Sequence, residues 1–285
     1  MRLFLIIFCL LITGISQAKS KDLPYKVYTS EGRVISFSKA VKALAEKQYI
    51  FFGEYHNNAV SHWLQLELTQ RLYTLKNKKL VLGAEMFEAD NQFILDEYLN
   101  GLISSKNYQQ EMRLWPNYNT DYRPLVEFAK ENQLKFVATN IPRRYANMVY
   151  KKGLKSLDQL SDLAKSYIVP LSTFEFDSTI NCYEEMLKMP HGGIEMATAQ
   201  AIKDATMAHF ILKNSNPQTT FLHYNGSYHS DNYEGIIYYL KQKVESKKIG
   251  SITTVSQDDI NALEAQHLKK SDFIICVKSN FTNTH

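Results

Sequence analysis

The chain is 285 residues long, with 45% hydrophobic and 22% charged residues. These ordinary globular values exclude low-complexity disorder and a collagen-like repeat, and the length suits one large α/β domain, alone or with a smaller appendage. Lysine and arginine number 33 against 29 acidic residues, a net charge of +4, too weak to point to a nucleic-acid partner, whose binders concentrate basic residues in a patch.

The first eighteen residues read as an address. Arg2 precedes an apolar run over 3–12, and Thr13-Gly14-Ile15-Ser16-Gln17-Ala18 supplies a small-x-small end. That is a secretory signal peptide over 1–18, cleaved after Ala18. Its apolar run falls short of the roughly 20 residues a spanning helix needs. Cys9 follows bulky Phe8, where a lipoprotein signal needs a small residue, so a lipid anchor there is doubtful. The mature chain is expected to be exported. It keeps Cys182 and Cys276, which lack the close spacing of a zinc or redox motif and are not expected to pair.

Segments 25–29 and 33–37 flank Ser30-Glu31-Gly32 as a hairpin. A short helix over 38–47 leads into the buried strand Tyr49-Ile50-Phe51-Phe52. An amphipathic helix over 59–76 follows, with Trp63, Leu66, Leu68 and Leu72 near helical spacing. Leu80-Val81-Leu82-Gly83 is the next strand, then helices near 91–99 and 123–132, then the strand 135–139. From 142 to 215 the pattern is helical, broken at Gly153, Pro170 and Pro190-His191-Gly192-Gly193. Strands follow at 220–224, 251–255 and 272–277, with a helix over 232–244 between the first two. Such alternation, with near-continuous apolar strands, predicts an α/β fold: a mainly parallel sheet with helices on both faces. Residues 19–141 and 216–285 would form the sheet domain, and 142–215 a smaller all-helical subdomain inserted into it.

In open α/β sheets, ligands bind beyond the carboxyl ends of the strands. Those ends here are Gly53-Glu54-Tyr55-His56, Glu85-Met86-Phe87-Glu88, Asn140-Ile141-Pro142-Arg143-Arg144 and Asn225-Gly226-Ser227-Tyr228-His229. Together they predict a polar cleft of Glu54, His56, Glu85, Arg143, Asn225 and His229. Glutamate and histidine two residues apart, with another histidine across the sheet, suit a divalent metal or acid–base chemistry. A metal-dependent hydrolase using Glu54, His56, Glu85 and His229 is therefore one reading. No HExxH, Walker loop, GxGxxG or GxSxG occurs.

The same strand ends, with Ala199-Gln200, Asp204 and Met207-Ala208 between them, resemble the ordered motifs of ChaN-type haem-binding proteins, bacterial iron-regulated envelope proteins of haem uptake. The resemblance spans roughly 25–278. It implies a haem carrier rather than an enzyme, and a fold distantly similar to Tiki-type proteases and erythromycin esterases. It places the protein in the periplasm or at the outer membrane, with an outer-membrane haem receptor as a further partner. Many family members are lipoproteins. The resemblance also implies a homodimer closing on two stacked ferric haems, each iron held by one tyrosine and the propionates by a histidine and a lysine of the other subunit. A phenolate is a hard oxygen donor suited to ferric iron, and tyrosine is an established haem ligand. Tyr150, on the basic segment after the third strand, is the favoured ligand, followed by Tyr145 and Tyr167. His191 and Lys203 are the favoured propionate partners, with His209, His223 and Lys151 as competitors.

Overall fold

The structure, a computed structural model, describes residues 23–285; the expected signal peptide and Cys9 lie outside the described residues. The chain begins with β1 (Tyr25–Thr29) and β2 (Val34–Ile35), then α1 (Phe37–Leu44), β3 (Tyr49–Glu54), α2 (Ala59–Leu75) and β4 (Leu80–Glu88). It continues through α3 (Gln92–Leu99), α4 (Ser105–Glu111), α5 (Arg123–Glu131) and β5 (Phe136–Asn140). Four helices fill the expected helical stretch: α6 (Arg143–Lys152), α7 (Asp162–Lys165), α8 (Asn181–Lys188) and α9 (Ile194–Lys213). The chain closes with β6 (Thr220–Gly226), α10 (Ile236–Lys241), β7 (Ile249–Gln257) and β8 (Phe273–Lys278).

One eight-stranded sheet runs in the order β2-β1-β8-β7-β3-β6-β4-β5. The stretch from β8 to β5 is parallel throughout. The hairpin β1–β2 is antiparallel and joins β8 antiparallel. The fold is therefore α/β with a mainly parallel sheet. Period-2 alternation sends Ile50 and Phe52 to one face, against Leu64 and Leu68 of α2. It sends Tyr49 and Phe51 to the other, against Ala201, Ile202 and Ile211 of α9. Each fully buried side chain of this size contributes about 2 kcal/mol. The helices of 142–215 share that second apolar cluster with Phe51, Val81 and Phe221 of the sheet. They form a layer on one sheet face.

Two connections open the crevice that matters. α2 leaves β3 over one face, while α10 leaves its neighbour β6 over the other. The carboxyl ends of β3 and β6 are thus a switch point, where no crossover covers the rim. Glu54 and Gly226 pair in register at that point.

The structure departs from the sequence expectation at 232–244. There the chain makes a one-turn 3-10 helix, Asp231–Tyr233, and α10 starts only at Ile236. Asn232, Tyr233 and Gly235 have φ of 58°, 59° and 54°, left-handed backbone that no α-helix can carry. A Cβ on Gly235 would lie 2.4 Å from the His229 carbonyl oxygen, so glycine lets this turn close against the site. The short helix α4 and a π-helical turn over Tyr118–Tyr122 were absent from the sequence reading. Their apolar spacing is too short to announce them.

Candidate functional site

β3 ends on Glu54, which is 1% exposed and fully partnered. Its Oε1 accepts from the Tyr122 hydroxyl at 2.7 Å and pairs with His56 Nδ1 at 2.8 Å. Its Oε2 accepts from the Gln65 side-chain amide. Tyr122 arrives on the π-helical turn, and Gln65 on α2, one turn along the same face from His62, whose Nδ1 lies 3.0 Å from the Gln65 side-chain oxygen. His62 stacks edge-on against Tyr122 and sits 3.4 Å from Asp121. His56 alone of this group is half-exposed, its ring edge-on to Trp115 at 4.8 Å. Burial would depress the pKa of His56, but the Glu54 hydrogen bond and the charges of Glu85 and Glu54 outweigh it and hold the value up.

A second group lies across β6. His229 is buried with both ring nitrogens committed: Nε2 to Glu85 Oε1 at 3.1 Å and Nδ1 to Asp204 Oδ1 at 2.5 Å. Burial alone would neutralise the imidazole, yet these two carboxylates push its pKa up to about 10. Glu85 shows the same balance in reverse. Burial would raise it, but His229, His56 and the Gly226 N–H, which donates to Oε2 at 2.7 Å, hold it well below the carboxylate range. Asp204 stays above its ordinary value, because burial and the neighbouring Glu85 charge exceed what His229 and the Tyr183 hydroxyl supply. Asn225 is fully buried, its amide donating to the Gly226 carbonyl and Ser230 Oγ, each at 2.9 Å; it braces the turn rather than facing the cleft.

The buried members of the cluster are already paired within the protein: His229 with Glu85 and Asp204, and Glu54 with Tyr122, His56 and Gln65. Among the described residues no group of three or more His, Cys, Asp or Glu is placed to hold a metal ion.

Beside the strand ends lies a cleft of about 440 Å³ between α6 and α9. Tyr150, His191 and Lys203, far apart in sequence, all line it, together with Arg143. Met186, Met196, Ala146 and Ala199 supply its apolar wall. Gln200 joins the cleft to the ion cluster: its amide nitrogen lies 3.2 Å from both ring nitrogens of His229, and its oxygen 3.4 Å from Lys203 Nζ. Tyr150 is 41% exposed, with the Lys151 ammonium 4.9 Å from its ring centroid.

The other candidates fall elsewhere. Tyr145 packs on the sheet-side cluster, and its hydroxyl accepts from Arg144 at 3.1 Å. Tyr167 lines a separate cavity with Ala89 and Phe210, and His209 another, of about 570 Å³, with Lys165 and Lys213. His223 is fully buried between Thr139 and Asn225, where burial drives its pKa down to about 4; it cannot reach a ligand. Cys182 and Cys276 are separate buried thiols. Sequence reasoning missed Gln65, Tyr122, His62 and Tyr183, which enter the site from distant segments. Asp204 stood in a motif without a role.

Residues 40–240 match the family model for haem-binding uptake proteins of the Tiki superfamily, ChaN. The chain belongs to this family. A solved structure of Campylobacter jejuni ChaN, described as binding haem cofacially, superposes with a TM-score of 0.66 at 20% identity, covering 90% of this chain and 97% of that one. A succinoglycan biosynthesis protein superposes at 0.50 and 12% identity, over 83% and 89% of the two chains. At these identities the likeness is one of fold. An Arabidopsis thaliana chloroplast protein, RETICULATA-RELATED 5, is 23% identical over 162 residues, which is 53% of this chain but 22% of that protein. The chain thus spans under a quarter of its plant relative.

Proposed function

We propose that the ChaN-family chain is a haem carrier that holds ferric haem in the cleft between α6 and α9, with Tyr150 as the iron ligand. The observation that carries this is the convergence of Tyr150, His191 and Lys203 on one cavity with an apolar wall. The donor set fits the group. A phenol offers a hard oxygen to ferric iron. A lysine and a histidine suit carboxylates. Methionine and alanine suit a flat apolar face. When bound, haem supplies an iron centre and two propionates; the protein's part is to present the phenol, pair the propionates and keep water from the macrocycle. His191 is exposed in the loop before α9, where it can reach a haem carried by a second subunit. A homodimer enclosing two stacked haems would hide apolar porphyrin faces that one open cleft leaves wet. Such a carrier belongs in an exported, periplasmic or outer-membrane-associated setting, handing haem to or from an outer-membrane receptor. A haemin titration followed by absorption spectroscopy tests the assignment. The unmutated protein should give a tyrosinate-type ferric spectrum, and Tyr150→Phe, which keeps the ring and removes the oxygen, should lose it. An unchanged spectrum in Tyr150→Phe would move the ligand elsewhere.

One observation favours a second reading, hydrolysis without a metal. In the neutral form of His56, with Nδ1–H donating to Glu54, the half-exposed ring carries its lone pair on Nε2. A base so held can take a proton from water as the water oxygen attacks the acyl carbon of an ester; the acyl C–O bond then breaks, and the imidazolium returns that proton to the departing alkoxide.

A further inference from the structure

Two consecutive arginines begin α6, and the structure gives them different work. Arg144 is spent on the protein: it pairs with Asp90 at 2.7 Å and stacks on the Tyr145 ring at 4.4 Å. Arg143 lines the 440 Å³ cleft and, among the described residues, has neither a hydrogen-bond nor an ion-pair partner in the protein. Its place is also unfavourable electrostatically. It is the first residue of α6, whose first turn holds no acidic side chain and whose cap, Pro142, offers no capping side chain. The helix dipole puts partial positive charge at that end, so a cation there is opposed rather than stabilised.

The cleft face of α6 is the set 143, 146, 147 and 150, and that of α9 is 196, 199, 200 and 203. Both follow i, i+3, i+4, i+7, the spacing of a single helix stripe. Arg143 and Tyr150 therefore sit on one stripe two turns apart, a rise of roughly 10 Å. From this stripe a guanidinium can reach the edge of a flat ligand whose centre lies near the phenol.

Resting on the haem reading above, we infer that Arg143 adds to the selection for carboxylate-bearing tetrapyrroles, its guanidinium pairing with a propionate of the haem whose iron Tyr150 of the same subunit ligates. A planar guanidinium matches a carboxylate bidentately, which an ammonium does not. An unpaired cation set against a helix dipole gains most when an anion arrives. The pairing differs from that of His191 and Lys203, which the dimer would direct at the other haem.

The test compares haemin with haemin dimethyl ester, the same macrocycle without ionised carboxylates. For Arg143→Ala, haemin affinity should fall about tenfold, the loss of one charge-assisted pair, while diester affinity and the tyrosinate spectrum stay as in the unmutated protein. Arg143→Lys should recover part of the selectivity. The dependence of haemin binding on salt should flatten in Arg143→Ala. Retained diester binding shows that the variant is folded. Equal losses for both ligands, or no loss for haemin, would overturn the inference while leaving Tyr150 untouched. Absence of haemin binding by the unmutated protein would overturn this inference together with the haem reading.

Discussion

Gly226 shows how tightly the rim is built. A Cβ there would lie 2.8 Å from both Cε1 and Nε2 of His56 and 3.5 Å from Glu85 Oε2. The bare backbone is what allows an imidazole, a carboxylate and a donating N–H to share one point. His56 is consequently the residue on which the hydrolytic reading depends. If that reading holds, the haem-free protein hydrolyses a p-nitrophenyl ester, and His56→Ala lowers the rate by about a hundredfold or more, the usual contribution of a positioned base. Tyr150→Phe would leave that rate alone. Turnover no faster than buffer in the unmutated protein removes the hydrolytic reading. The Glu and His at 54, 56, 85 and 229 were legible because each comes within a few residues of an apolar strand run. Their partners were not: Tyr122 sits 68 residues from Glu54, and nothing local marks a tyrosine as a carboxylate donor.

α9 does two jobs. One face carries Gln200 and Lys203 into the cleft, and Asp204 of the next turn pins the helix to the end of β6 through His229. The same carboxylate accepts from Tyr183 of α8 at 2.8 Å, so both helices are tied to one buried ion cluster. This sets a pH dependence. The His229 pKa is raised in the fold, from 6.5 to about 10. Its contribution is fully present below the unfolded value near 6.5 and is lost as pH rises toward 10. Thermal melts should therefore show Tm falling between pH 7 and pH 10. His229→Gln should melt lower at pH 7, by a few kcal/mol of stability as for other broken buried pairs, with a flatter alkaline limb. Parallel alkaline limbs in the two proteins would show that His229 is not the titrating group. At the sheet edge a second element-scale device appears. The Gln92 amide donates to the Phe136 carbonyl at 2.9 Å and accepts from the Ala138 N–H at 2.6 Å. It occupies the open edge of β5 and blunts strand-to-strand association.

For the whole molecule, the consequence of the proposed shared site is linkage. If one haem touches two subunits, haem must strengthen the dimer as much as dimerisation strengthens haem binding. Sedimentation should find a mostly monomeric haem-free protein and a haem-bound dimer. A His191→Ala, Lys203→Ala double variant should keep the tyrosinate spectrum yet dimerise less on adding haem. The same monomer fraction with and without haem in the unmutated protein would sink the shared site. Among the described residues no helix is long and apolar enough to cross a membrane.

Local pattern determined the architecture. Apolar strands alternating with amphipathic helices leave few ways to bury both faces of a sheet, and these the parallel α/β order satisfies. Ordered short motifs at the strand ends pointed to the family. Only tertiary structure decided which side chains meet. The expected helix over 232–244 gave way because the turn at Gly235 must fold back onto His229. Asn225 turned inward because a buried amide had two acceptors within reach. His223 and Tyr145 were drawn into packing, while Tyr150 and Arg143 stayed on the open stripe of α6. Contact across dozens of residues is a property of the packed sheet and its helices, and no spacing within the chain encodes it.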